Sequence, residues 1–409
     1  MSQQGCPVTE RHRRKTHRPE DRPEPALEVV DGIWQVRDLA VARQVLRNRE
    51  ALQGGFNAEQ LAMNGMRPPI LYADGTTHRK QRAAIARYFA PRTVDTNYHE
   101  LMDRYATQLV DDFRREGRTD LAQLSLLYSV MVAAQVVGLT DSPTDQMSRR
   151  LERFFQIPAL KETAEAGERR SLVEEAKLRA LTLRGQLPLL SFHLRDVRPA
   201  IKARKAKRQD DVISHLLDEG YSQLEILIEC VTYAAAGMVT TREYIGMAVW
   251  HLLEDDELRE RYLSADKPGR YEVLHEILRL EPIVGHLLRR TTTPIEVEFD
   301  GQTRTIPSGA LVDIHIRSVN AQRAVVGESP LDLCPGRELP PKVGDEVMSF
   351  GDGPHKCPGN SLAIQEADVL LQKLLALPVR LASRPRIGWD EMIKGYEVRS
   401  IELELADTR

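Results

Sequence analysis

From Ser222 to Glu254 the chain runs without a proline, and a helix of that length, at about 1.5 Å per residue, spans roughly 50 Å. Anything compact that this chain builds has to be arranged around such a rod. It opens on Ser222-Gln-Leu-Glu225, a capping-box pattern in which hydroxyl and carboxylate each satisfy an N–H that the first turn leaves unpaired. Its middle reads Ala234-Ala-Ala-Gly-Met-Val-Thr-Thr241. Gly237 there costs about 1 kcal/mol against alanine, which calls for either a closely packed neighbouring helix or a ledge beside a ligand. A threonine hydroxyl bonded to the carbonyl four residues back would bend the rod and open a local groove.

Helical patterns dominate the first two thirds of the chain, over 38–48, 78–89, 95–116, 121–138, 143–155, 160–180, 186–205, 209–218 and 222–254. Short strands are expected at 32–36, 295–299 and 310–316, then a helix over 360–376 and a final strand over 398–405. The fold class is therefore mostly α with small β regions. Residues 1–25, rich in arginine and proline, read as a flexible polar tail, and 26–409 as one domain without internal repeats. Residues 49–77, with their Gly, Asn, Pro and Met, read as a long loop of the kind that carries function.

The bulk properties exclude more than they assign. A formal net charge of −3 over 409 residues gives no global reason to bind nucleic acid. The four cysteines, Cys6, Cys230, Cys334 and Cys357, are scattered without a C-x-x-C pair, so neither a zinc site nor a disulfide framework is implied. No apolar run reaches the roughly 18 residues of a membrane-spanning helix, and the polar start lacks a signal-peptide core. These readings lead to a cytoplasmic protein with neither nucleic acid nor membrane as partner.

The chemistry concentrates in Phe350-Gly-Asp-Gly-Pro-His-Lys-Cys-Pro-Gly359, just ahead of the helix expected from Asn360. Glycines at 351, 353 and 359 permit positive φ and let bare backbone approach a flat ligand. A cysteine before a helix start meets unpaired N–H groups and the positive end of the dipole, which favours thiolate, the form that binds iron. An isolated cysteine is more often a small buried hydrophobe. Here, however, the stretch matches F-G-x-G-x-H-x-C-x-G position for position and resembles the haem-binding loop of the cytochrome P-450 superfamily. The resemblance implies Cys357 as axial iron ligand, His355 at a haem propionate, Phe350 shielding the sulfur, and Lys356 facing outward where an electron donor docks.

Other segments fall in the order that the resemblance requires. Glu276-Ile-Leu-Arg279 places opposite charges on one helical face, worth only about 0.2–0.5 kcal/mol as a surface pair. Together with Pro335-Gly-Arg337 it resembles the family's E-x-x-R and P-x-R elements, which implies a buried charge network serving folding. His78 and Arg82, at i and i+4 on an early helix, resemble its H-x-x-x-R helix against the propionates, and Arg289 takes the place of a third propionate ligand beside Arg290. Gly237 and Thr240 resemble its A-G-x-[DE]-T-T oxygen-activation segment, with Thr240 as the catalytic alcohol. Val239 departs from that pattern, since valine can neither donate nor accept a proton where the family usually has an acid. Glu243, one turn on, is either a substitute or a structurally paired residue.

The resemblance extends over residues 28–407. It implies the cytochrome P-450 fold, with haem b between the long central helix and the cysteine loop and dioxygen as co-substrate. It also implies electrons from a separate ferredoxin and ferredoxin reductase or an equivalent donor. The expected activity is a monooxygenase that hydroxylates a small, largely apolar molecule, with secondary metabolism as one setting. Val239 keeps two alternatives open: oxidative coupling or cyclisation without oxygen insertion, and a haem-binding sensor without turnover. Substrate choice is expected to lie with 49–77, about 150–205 and Ile283 to Leu288.

Overall fold

The computed structural model describes residues 13–18, 21–55, 67–155, 187–391 and 393–406. The proline-free rod forms, but it is not uniform. Helix Gln223–Ala234 passes through a π-helical turn, Ala235–Val239, into helix Thr240–Glu254. Both halves of the capping box are present, with the Glu225 N–H donating to Ser222 Oγ at 3.3 Å and the Ser222 N–H to Glu225 Oε2 at 2.7 Å. By length and composition this rod could cross a membrane, yet Thr241 to Leu252 are buried inside the protein, as in a core helix.

Helix Leu121–Val137 packs beside it and is buried on nearly every side, so its apolar residues need no single stripe. Asp120 caps its start, accepting from the N–H groups of Ala122 and Gln123, and Gly138, with φ +99°, ends it. Helices His99–Glu116 and Asn360–Leu375 lie against one another, and with the rod they enclose the larger core, which holds Met102, Phe113, Tyr244, Ile277 and Leu370.

The strands are β1 (Leu27–Val30), β2 (Ile33–Val36), β3 (Ala51–Gln53), β4 (Arg118–Asp120), β5 (His286–Thr291), β6 (Ile295–Phe299), β7 (Gln302–Ile306), β8 (Leu311–His315), β9 (Val379–Leu381), β10 (Arg386–Asp390), β11 (Gly395–Arg399) and β12 (Glu402–Leu405). Five form the main sheet, in the order β1-β2-β8-β5-β3, with β2 and β8 parallel. The sheet packs on helix Leu39–Arg47 around a second, smaller core of Val36, Val45, Val312 and Ile314. Helices with small sheets are thus the architecture expected.

Three local expectations change. The N-terminal tail does not stay in solvent to residue 25. Arg14 is buried, donating from Nε to Leu280 O at 2.8 Å and from Nη2 to Arg317 O at 2.9 Å. Thr16 and the Lys15 N–H bond the buried Glu281 carboxylate, and Asp21 pairs with Arg317 at 2.9 Å. A chain that supplies donors to a buried carboxylate is held in place by the cost of leaving that charge alone. The strand expected over 398–405 breaks at Ser400, whose φ of +56° turns β11 into β12. The loop expected over 49–77 contains β3, and the next helix begins at Gly75 rather than His78. The helix expected over 160–180 lies outside the described residues.

Candidate active site

The cysteine loop is held by its own backbone. The Cys357 N–H donates to Phe350 O at 2.9 Å, Lys356 N–H to Gly353 O at 3.1 Å, and Gly351 N–H to Met348 O at 2.8 Å. Two of its three glycines have positive φ, +70° at Gly351 and +68° at Gly353. A Cβ on Gly353 would lie 2.2 Å from Leu46 O, so only glycine lets the loop sit this close to helix Leu39–Arg47. Gly359 differs from expectation: with φ −89° it is the N-cap of helix Asn360–Leu375. Its N–H bonds the Cys357 sulfur, as a helix start does for an anion.

The thiol itself is half-buried, and its proton affinity is not lowered in the way the loop's position suggested. Burial pushes the Cys357 thiol up, and the Gly359 N–H, Arg82 and Lys356 pull it only part of the way back. The helix start is thus outweighed by desolvation, and a bound metal cation is the term that would deprotonate the sulfur outright. Lys356 is exposed, as expected. Phe350 is half-buried against the larger core.

Four basic side chains converge beside this loop from three segments. His78 and Arg82 come from helix Gly75–Phe89, Arg289 from β5 and His355 from the cysteine loop. The His78 and His355 rings stack at 3.9 Å with an interplanar angle of 18°. Arg82 Nη2 donates to Lys356 O at 2.5 Å. The pleat of β5 decides between the two neighbouring arginines: Arg289 is buried, while Arg290 is exposed and donates to Gly309 O at 3.0 Å. Burial, then His355 and Arg82, hold His78 down at about 4, and burial lowers Arg289 to about 10. Among the described residues Asp74 is the carboxylate that faces them, 3.1 Å from His355 Nε2. A concentration of buried basic groups with so little counter-charge suits an anionic ligand, and its fork donors suit carboxylates.

The rod carries the remaining sequence-predicted residues at its π turn, Ala235–Val239. Gly237 is not explained by tight helix packing, because a Cβ built there meets nothing within 4 Å. Thr240 Oγ1 donates to Ala236 O at 2.6 Å, the i−4 back-bond that bends helices. Such π turns recur where a helix opens for function. Glu243 is no substitute acid. It is buried, bonds Arg242 and Arg399 at 2.6 and 2.8 Å, and accepts the Val398 N–H at 2.7 Å. All its lone pairs are engaged in joining the rod to β11.

The Glu276 network is complete. Arg279 donates to both carboxylate oxygens at 2.6 and 2.8 Å, and Glu276 Oε1 also accepts from Arg337 Nη2 at 3.2 Å and from the Cys334 N–H at 2.8 Å. Two site residues escaped the sequence reading. Asp74 stands at the N-cap of its helix and would be read as a cap, but its carboxylate takes the Gln53 N–H and His355 instead. Glu229 is buried, accepts the Ile70 N–H at 3.1 Å, has no partner for Oε2, and is pushed up to about 7 by burial. Nothing in the sequence distinguishes it from a surface glutamate. Much of the specificity regions, 56–66 and 156–186, lies outside the described residues.

With this geometry in view, the comparisons with known proteins fall into line. The family model described as cytochrome P-450 matches residues 271–377, which include Glu276, Arg279, Arg337 and the cysteine loop. Cytochrome P-450 130 of Mycobacterium tuberculosis is 26% identical over 388 residues, covering 91% of this chain and 86% of that protein. Cytochrome P-450(BM-1) of Priestia megaterium is 23% identical over 361 residues, covering 84% and 81%. The crystal structure of CYP109B1 from Bacillus subtilis superposes with a TM-score of 0.72 at 20% identity, covering 93% of this chain and 96% of that one. At that identity the structural likeness speaks to the fold alone.

Proposed function

Since the chain belongs to the cytochrome P-450 superfamily and is a haem-dependent, oxygen-using oxidoreductase, we propose that it hydroxylates a small, largely apolar organic molecule. The reading places haem b between the cysteine loop and the π turn, and a separate ferredoxin-type protein as the electron donor. The observation that carries it is the half-buried Cys357 thiol with four basic side chains gathered beside its loop.

In this reading the haem supplies the iron at which dioxygen is reduced and activated, and the chain supplies everything else. Cys357 Sγ would hold the iron, and the Gly359 N–H, which bonds the sulfur, would tune it by taking part of its charge. His78, Arg82, Arg289 and His355 would hold the two haem carboxylates, with Asp74 orienting His355. Gly237 keeps the distal side clear of a side chain. The Thr240 hydroxyl, donating to Ala236 O, keeps lone pairs on Oγ1 with which to hold a proton-bearing water near the reacting oxygen. Val239 relays no proton, and Glu243 is committed elsewhere, so solvent ordered at Thr240 is the proton source. The exposed Lys356 lies on the face where the electron donor docks. The setting is the cytoplasm.

The deciding measurement is the absorption spectrum of the reduced, carbon monoxide-treated protein, native and Cys357→Ser. A strongly red-shifted haem band present in the first and lost in the second is expected. A chain that binds no haem, or that keeps the band without Cys357, defeats the assignment of the ligand. A second reading, coupling or cyclisation without oxygen insertion, is favoured by the missing acid at Val239. Isotopic oxygen from dioxygen absent from the product would select it over hydroxylation. A sensor without turnover would consume no reduced nicotinamide on addition of any ligand in the presence of a surrogate redox pair.

A further inference from the structure

The main sheet carries a second cluster of chemistry-bearing side chains, separate from the residues around Cys357. The pairing of β2, β8 and β5 sets His286 opposite His315, and Gln35 opposite Asp313. Because side chains alternate along a strand, all four project from one face of the sheet, the one opposite Val312 and Ile314. His286 Nδ1 lies 2.8 and 3.0 Å from the two Asp313 oxygens, and His315 Nε2 lies 3.8 Å from Asp313 Oδ2 and contacts Gln35 Oε1. One ligand atom from each of His286, Asp313 and His315 can be chosen so that all lie within 4.8 Å of one another.

Two further observations set this cluster apart from an ordinary hydrogen-bonded core. Both imidazoles are more than nine-tenths buried, with side-chain exposures of 8% and 4%. The other nitrogen of each ring, His286 Nε2 and His315 Nδ1, is buried with no hydrogen-bond partner. The two rings lie side by side, centroids 4.2 Å apart, and it is His286 Nδ1 and His315 Nε2 that are turned to Asp313 and can serve as ligands.

We propose that His286, Asp313 and His315, with the Gln35 amide oxygen, form a binding site for a divalent transition-metal ion of the zinc type. Two imidazoles and a carboxylate suit zinc, at bond lengths of about 2.0–2.2 Å and hence ligand spacings of roughly 3.3 Å. The two spacings to Asp313, 2.8 and 3.8 Å, lie on either side of that value, the His315 to Gln35 contact is shorter, and the three ligand atoms together lie within 4.8 Å. The ion takes the place of the protons that would otherwise bridge His286 to Asp313 and His315 to Gln35. Arg37 and Arg317 are the cations that face His315, and each is paired with its own carboxylate, Glu28 at 2.7 Å and Asp21 at 2.9 Å. The ion would pin three strands together, and β5 is the strand that presents Arg289.

The test uses the full, tag-free chain, equilibrated with zinc alone, dialysed at low free zinc and assayed for metal by mass spectrometry. About one zinc per chain is expected to remain, together with a rise in the thermal unfolding midpoint, and retention should fall by about tenfold or more in His286→Gln and His315→Gln. Asp313→Asn, which keeps the volume and one acceptor, covers the case in which a histidine variant does not fold, and it should show the same loss. A native chain that retains no zinc overturns the site, as does retention undiminished in whichever of these variants fold.

Discussion

Two clusters of buried charge flank the cysteine loop, and they are built on opposite principles. Around Glu276 one carboxylate is met by two guanidinium groups and a backbone N–H, and the spare donors of Arg279 and Arg337 go to carbonyls of Asn320, Pro330, Ser329 and Asp332. Around His78 four basic side chains gather with Asp74 as the facing carboxylate, and three of them, His78, Arg82 and Arg289, are held below their ordinary proton affinity by burial. The first is saturated by the protein itself. The second is incomplete until an anion arrives. A saturated network therefore marks a residue set that serves the fold, and an unsaturated one a set that serves a ligand.

The comparison breaks most readily at Glu276. Removing it leaves Arg279, fully buried, and Arg337 without their counter-charge, and truncating one partner of such a network costs about 3–5 kcal/mol. Glu276→Ala should lower the unfolding free energy of the haem-free chain, read from denaturant curves, by that amount or prevent folding. A variant that unfolds like the native protein would show that the network contributes nothing, and the distinction between the two clusters would go with it.

A third buried carboxylate sharpens the rule. Glu366, in helix Asn360–Leu375, has no partner for Oε1 and is pushed up to about 8 by burial, with the neighbouring Ser129 pulling slightly the other way. A folded-state affinity above the unfolded value of about 4.3 means that the protonated form is the stable one. Its contribution is complete below pH ~4 and is lost as pH rises through about 8, amounting to roughly 2–3 kcal/mol between pH 6 and 8. Glu229, at about 7, acts in the same direction. Glu366→Gln should flatten much of that decline in a series of unfolding curves against pH. An unchanged pH profile would mean that Glu366 is ionised in the fold.

How much of this was readable in the sequence depends on distance along the chain. The capping box at Ser222 and the Glu276 to Arg279 pair are local patterns whose spacing sets the geometry, and each has the form expected; in the cysteine loop Gly351 and Gly353 take the expected positive φ and Gly359 does not. Asp74 against His355, the Arg14 and Asp21 contacts, and the His286 cluster join residues far apart in sequence, so no local pattern encodes them. The π turn is hidden in part for another reason: Gly237 marks the place in the sequence, but the extra residue in the turn shows only in the hydrogen bonding. The direction of the Cys357 shift was misjudged because position at a helix start is visible in sequence and burial is not.

Arg289 tests the unsaturated cluster from the other side. Replacing it by leucine removes a buried cation whose proton affinity is already lowered to about 10, so the haem-free chain should change in stability by no more than about 1 kcal/mol, in either direction, as a hydrophobic residue of similar bulk often does. Retention of haem should fall sharply, read as the ratio of haem absorbance to protein after gel filtration. A large loss of stability in the haem-free chain, with haem retention unchanged, would make Arg289 a structural residue of the same kind as Arg279.

Gly237 gives the smallest effect and the cleanest separation of fold from ligand. In a packed helix interface, Gly237→Ala would force a clash, yet here its new methyl meets nothing within 4 Å. Alanine also has the better helix propensity, by up to about 1 kcal/mol. The haem-free variant should therefore be as stable as the native chain or slightly more so, while the added methyl stands in the space assigned to the distal ligand and weakens dioxygen or substrate binding. Stability measured by denaturant unfolding and substrate affinity measured by the shift of the haem band would then move in opposite directions. If both fall together, the open space beside Gly237 is closed in solution and the glycine is there for packing. If neither moves, the methyl and the ligand do not compete, and the site lies elsewhere along the rod.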